Sequence, residues 1–143
     1  MSHDLLHTYR STLRTKIFRK MAAAGLDSLL VTDLPTIRWL TGFSGSSARL
    51  LFAGEATSVL FTDFRYQEQI RHETSGIATV ILKESLPVEL ASGAFRLGDK
   101  MALQADRVTW HEQQQLSEKL GHLEFAPVSA FFDEFREINH IEE

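Results

Sequence analysis

Leu6, Tyr9, Leu13, Ile17, Met21 and Ala24 recur at intervals of three and four. That spacing lines one side of a helix and predicts one over residues ~5–24. Gly25 follows as a left-handed stop, with Leu26 placed to fold back on the last turn as in a Schellman ending. The period then changes. "SLLVT" (28–32) is a continuous apolar run of strand length. "ARLLFA" (48–53) and "TSVLFT" (57–62) are two more, and the short "GEA" between them predicts a hairpin. Asp63 is placed to cap a helix over ~64–74 that Gly76 would end. "ATVILK" (78–83), "KMALQA" (100–105) and "LEFAPV" (123–128) read as further strands.

Three further helical segments complete the pattern, of which residues 85–97 are the weakest. Ser85 and Pro87 suit a helix start within residues 85–97, although Gly93 lowers its propensity by about 1 kcal/mol. Thr109 and Glu112 form a T-x-x-E capping box ahead of Leu116 and Leu120, with Gly121 as the stop. Ser129 is read as the cap of a closing helix that bears Phe131, Phe132, Phe135 and Ile138. The order α-β-β-β-α-β-α-β-α-β-α predicts an α/β fold, a mixed sheet with helices on both faces.

Between the first two strands lies "TIRWLTGFSGSSARLLF" (36–52), preceded by a loop that contains Pro35. Its crowded glycines and serines suggest a nucleophile elbow, a phosphate cradle or a tight turn. An elbow needs G-x-S-x-G between a strand and a helix, and "GFSGS" puts Ser46 at the second glycine and a strand after it. A phosphate loop needs a Lys and a following helix, and neither is present. The turn reading survives, with glycine granting the backbone freedom and with Arg38, Trp39 and Phe43 as the residues presented.

Composition narrows the class. The 143 residues suit one domain with a real core, and no apolar run is long enough to span a bilayer. No cysteine is present, which removes disulfides and thiolate chemistry and fits a cytoplasmic location. The first 24 residues carry five basic side chains against Asp4, and residues 133–143 carry five acidic ones against Arg136. The basic cluster lies on one helix without interleaved aromatics. It reads as a solvated face, with no nucleic-acid or membrane partner expected. "HEQQQ" (111–115) has Gln115 where a zinc-binding H-E-x-x-H helix needs its second His. His3 and His7 have metal-binding spacing but no third ligand, so no metal is expected in this chain. Asp33, Asp63 and Asp106 each follow a strand. They could gather Mg²⁺ as a nuclease does, but capping and turn roles are favoured.

Four stretches together resemble the N-terminal domain of the creatinase/prolidase/Xaa-Pro aminopeptidase family of metallopeptidases. "AAAGLDSLLVTDLPTIRWLTGFSGSSARLLF" is similar to that family's helix end, first strand and N-I-R-Y-L-T-G-F-x-G turn. "VLFTDFRYQEQI" resembles its L-F-T-D-x-R-Y-x-x-Q-A segment, and "LQADRVTWHEQQQL" its F-E-A-D-x-x-T segment. "VSAFFDEFREINHIEE" resembles its closing helix and R-x-I-K-x-x-x-E linker. Phe64 stands where many relatives have Gly, Trp39 where Tyr is commoner, and Asn139 where the linker has Lys; residues 85–97 fit the family's second amphipathic helix poorly.

The resemblance implies a ribonuclease H-like three-layer α/β domain. It also implies that the two divalent metal ions, held by two Asp, one His and two Glu, belong to a C-terminal pita-bread domain that would begin where this chain stops. The chain alone is then expected to be inactive. Its role would be to help form a homodimer and to shape the groove for proline-containing peptides. The matching turn supplies Arg38, Trp39, Phe43 and Ser44 as substrate-groove candidates. A guanidinium can pair with a peptide carboxylate, and an aromatic wall can receive a proline ring. Trp39 is read first as a core anchor; for Arg38 a solvated role and a groove role stand equal. The alternative reading is a stand-alone peptide- or protein-binding module of the same fold. The closing phenylalanines, if left uncovered, would favour self-association.

Overall fold

The apolar stripe at the start of the chain forms helix α1 (His3–Ala23) in the computed structural model, which describes residues 3–136. Its end has the expected Schellman geometry. Gly25 has φ 72°, its N–H donates to Ala22 O at 3.2 Å, and Leu26 N–H donates to Met21 O at 2.9 Å. There follow β1 (Ser28–Val31), α2 (Leu34–Thr41), β2 (Arg49–Ala53) and β3 (Thr57–Thr62). A 3₁₀ turn (Phe64–Tyr66) leads into α3 (Gln67–Glu73), then β4 (Ala78–Ile81) and α4 (Leu86–Leu90). The chain continues through β5 (Lys100–Gln104), α5 (Trp110–Lys119) and β6 (Glu124–Val128). Residues 133–136 form a helical turn, whereas Ile138 and the expected linker residues lie outside the described residues.

The strands form one sheet in the order β4-β3-β2-β1-β5-β6. β2 runs antiparallel to β1 and β3, and the remaining neighbours are parallel. Because successive side chains alternate between faces, this register builds two cores. Leu29, Val31, Leu50, Phe52 and Leu60 pack with α1, α2, Ile70 of α3 and Phe131, Phe132 and Phe135. Leu30, Leu51, Val59, Phe61, Met101 and Leu103 pack on the other side with Leu86 and Leu90 of α4 and Leu116 of α5. The result is the three-layer α/β arrangement with helices on both faces of a mixed sheet.

Four expectations are corrected. Residues 34–41, expected as loop and turn, are a helix, so the glycine-rich turn starts only at Gly42. Within 85–97 only five residues are helical, and Gly93 has φ 88°. The basic residues of α1 are not uniformly solvated, since Arg14 is 9% exposed and Arg10 is half-buried. Phe131, Phe132 and Phe135 are 5%, 2% and 6% exposed, so they offer no uncovered surface for self-association.

Candidate functional site

Helix α2 owes its existence to both of its ends. Asp33, at the end of β1, takes the N-cap: its Oδ2 accepts from Thr36 N–H at 3.2 Å and from Thr36 Oγ1 at 2.5 Å. Pro35 occupies the first turn, where its missing N–H costs nothing. Gln104, at the end of neighbouring β5, accepts from the N–H groups of Thr32 (2.9 Å) and Asp33 (3.1 Å) and so fixes the entry. At the other end Gly42 adopts φ 87°, and its N–H donates to Arg38 O at 2.8 Å. Two arginines of α1 serve the last carbonyls: Arg10 Nε donates to Trp39 O at 3.2 Å and Arg14 Nη1 to Leu40 O at 3.5 Å. Burial lowers the pKa of both guanidinium groups, and for Arg14 the neighbouring Arg10 charge adds to the effect.

The four candidates fall into different environments. Arg38 projects from α2 and is exposed. Trp39 is half-buried: its Nε1 donates to Tyr9 OH at 3.4 Å, its ring meets the edge of Phe132 at 6.3 Å, and Arg136 lies 4.9 Å over its face. Arg136 is in turn held by Thr36 Oγ1 at 2.5 Å. Phe43 is 1% exposed and packs edge-on against Tyr66 at 5.8 Å. It is a core residue rather than a presented wall, and its ring occupies the space that a β-carbon at Gly45 would need. Ser44 is exposed, with its N–H and Oγ donating to the Glu73 carboxylate at 2.8 and 2.7 Å. Gln69 Nε2 closes this network, 3.1 Å from Ser44 Oγ and from Glu73 Oε1.

Partial burial pushes the Glu73 carboxyl up. Hydrogen bonds from Ser44 and Gln69, together with the Arg38 charge, outweigh it and hold the pKa below the usual range. Arg38 and Ser44 thus converge electrostatically on Glu73, a partner that no local sequence pattern indicates. Tyr66, whose hydroxyl is hydrogen-bonded to Ser46 Oγ, has its pKa lowered chiefly by that bond.

The strand-end carboxylates do not form a metal centre. Asp33 caps α2 and lies 3.5 Å from Arg107. Asp63 caps the 3₁₀ turn and is bound bidentately by Arg65, with both contacts at 2.8 Å, which lowers its pKa to about 2. Asp106 is exposed. Among the described residues no group of three His, Cys, Asp or Glu side chains could hold a metal ion, while the His3 side chain lies outside them. On the α5 side an open cleft of about 480 Å³ is lined by residues that include Arg49, Asp63, His111 and Glu112. Glu112 binds Arg49 at 2.8 and 3.0 Å. Only half of the expected capping box is made there: Thr109 Oγ1 accepts from Glu112 N–H at 3.0 Å, while the carboxylate turns to Arg49.

The Creatinase/Prolidase N-terminal domain family matches residues 14–138, which include α2, its caps and the Ser44–Glu73 network. The chain belongs to this family. Its fold superposes on the N-terminal domain of the cytoplasmic peptidase PepQ from Mycobacterium tuberculosis H37Rv with a TM-score of 0.72. That match has 29% identity and covers 90% of this chain and 98% of the other. An Xaa-Pro aminopeptidase structure from Streptococcus pyogenes matches with a TM-score of 0.76 at 28% identity, over 89% of this chain and 97% of that one. An uncharacterized peptidase, YqhT of Bacillus subtilis (strain 168), is 28% identical over 120 residues, which is 83% of this chain. The chain spans 34% of that relative's length. Within this creatinase/prolidase-type domain, Arg38 and Ser44 are the exposed polar residues of the segment from Asp33 to Ser44. Among the described residues no helix is long and apolar enough to cross a membrane.

Proposed function

We propose that this chain is the non-catalytic N-terminal domain of a cytoplasmic Xaa-Pro peptidase. The hydrolytic centre, with two divalent metal ions that generate hydroxide and polarise the scissile carbonyl, would lie in a separate C-terminal domain. The observation that carries this reading is the pair of coverages. The chain accounts for 98% of a solved peptidase N-terminal domain but 34% of a peptidase relative. In this role the domain contributes to a homodimer and to one side of the groove for proline-containing peptides. Arg38 is exposed on a helix capped at both ends, so its guanidinium can reach a peptide carboxylate from a fixed backbone position. The accessible part of Trp39 supplies an aromatic surface for a proline ring. Ser44, committed to Glu73, and the buried Phe43 act on the groove by fixing the Gly42 turn.

Hydrolysis of Ala-Pro and Ala-Pro-Ala, assayed with a divalent metal present, tests this reading. The complete parent protein is expected to cleave the X–Pro bond, and the 143-residue chain to cleave neither peptide. Turnover by the isolated chain contradicts the non-catalytic role. Failure of the parent protein on both peptides contradicts the peptidase assignment and favours a binding module.

A further inference from the structure

A cavity of about 280 Å³ lies where the start of α1 meets the ends of α2 and α3, lined by residues that include His7, Arg10, Gly42, His72, Glu73 and Ser75. Two glycines make room for its basic side chains. At Gly42 (φ 87°) a β-carbon would stand 2.8 Å from Arg10 Nη1, and at Gly76 (φ 70°) it would collide with the His7 ring. The backbone is therefore shaped to let these side chains line the space.

Ser75 Oγ lies 3.5 Å from His7 Nδ1, and His72 Nε2 lies 4.0 Å from the Glu68 carboxylate, so the outer fork of Arg10 is the strongest donor left open there. Arg10 Nε is engaged by Trp39 O, but among the described residues no carboxylate pairs with the Nη1 and Nη2 end of its fork. Arg14, one turn along α1, adds a second buried positive charge, which among the described residues donates to the Leu40 and Gly76 carbonyls. No side-chain nitrogen among the described residues is both buried and without a partner, so the outer nitrogens of Arg10 stay open to solvent, where an anion can reach them. The carboxylate on the cavity wall, Glu73, does not serve: its two oxygens accept from Ser44 and Gln69.

We propose that this cavity is a binding site for a small carboxylate, with its two oxygens on the outer fork of Arg10 and with Ser75, His7 and His72 as flanking donors. A planar monoanion matches the guanidinium geometry. The negative charge of Glu73 on the same wall disfavours a dianion such as phosphate.

Amide chemical shifts of the chain, followed during titration with sodium acetate, test the site. Sodium chloride controls for ionic strength, and inorganic phosphate is titrated in a third series. Acetate is expected to give saturable shifts around residues 7–10, 42 and 72–76 that chloride does not give. Arg10→Gln should weaken acetate binding by about tenfold or more, as expected for loss of a charge-assisted pair. His72 is 80% exposed, so His72→Gln leaves the fold intact and should weaken binding by about two- to threefold, as expected for loss of one hydrogen bond. Shifts that do not saturate or that spread over the whole chain would overturn the site, as would unchanged affinity in a folded Arg10→Gln protein. If Arg10→Gln does not fold, unchanged affinity in His72→Gln overturns it. Tighter binding of phosphate than of acetate overturns the carboxylate assignment.

Discussion

Helices α2 and α5 start at the carboxyl ends of neighbouring parallel strands, β1 and β5, yet they pack on opposite faces of the sheet. Each has a side-chain N-cap and each carries a tryptophan. There the likeness ends. In eight residues α2 buries Thr36, Ile37, Leu40 and Thr41, whereas in ten α5 buries Leu116 alone. Trp39 is half-buried against Tyr9, Phe132 and Arg136, while Trp110 is 75% exposed. The difference teaches that a surface residue is only as well placed as the helix beneath it. Arg38 stands on a segment fixed from below and at both ends. The polar groups of α5 depend on one cap and on the partly exposed Arg49–Glu112 pair.

The largest effect should come from emptying the core under α2. Leu40→Ala is expected to cost about 2–5 kcal/mol of stability in urea unfolding, and Trp110→Ala less than about 0.5 kcal/mol. Similar losses for the two would erase the contrast. The caps come next. Asp33→Ala should cost about 1–2 kcal/mol, because Asp33 serves both Thr36 groups and lies beside Arg107, and Thr109→Ala about 1 kcal/mol or less. A larger loss at Thr109 would reverse the ranking of the two helices.

The smallest effect is electrostatic and appears only in acid. Asp63 titrates at about 2, below its ordinary 3.8, chiefly through hydrogen bonds from Arg65. A depressed native value means that its contribution is complete above about pH 5 and fades as pH falls through about 2. The stability gap between the wild-type chain and Asp63→Asn should therefore narrow over that interval and stay constant above it. A gap that changes between pH 5 and 7 would place the titration elsewhere.

The contrast also explains what could be read from the chain. The strands and α1 were legible because apolar period and length agree there, and the T-x-x-E box marks the start of α5 directly. Helix α2 was not legible. Pro35, with β-branched Thr36, Ile37 and Thr41, gives it weak intrinsic propensity, and the glycines after it favour a turn reading. Tertiary groups overrode that preference: Gln104 at its entry, and Arg10 and Arg14 at its exit, come from positions 26 to 72 residues away. The same limit applies to the candidate site. The exposure of Arg38 fits a solvated role and a groove role alike, while the burial of Phe43 and the engagement of Ser44 by Glu73 depend on contacts with α3 and the turn before it.

Steady-state kinetics of the complete parent protein with Arg38→Ala, on an Xaa-Pro peptide with a free carboxylate, is the most direct test of the proposed role. If α2 forms part of the groove, KM should rise by about tenfold, the loss expected for one charge-assisted contact, with little change in kcat. KM and kcat equal to those of the unmutated protein would contradict the assignment of this helix to the groove.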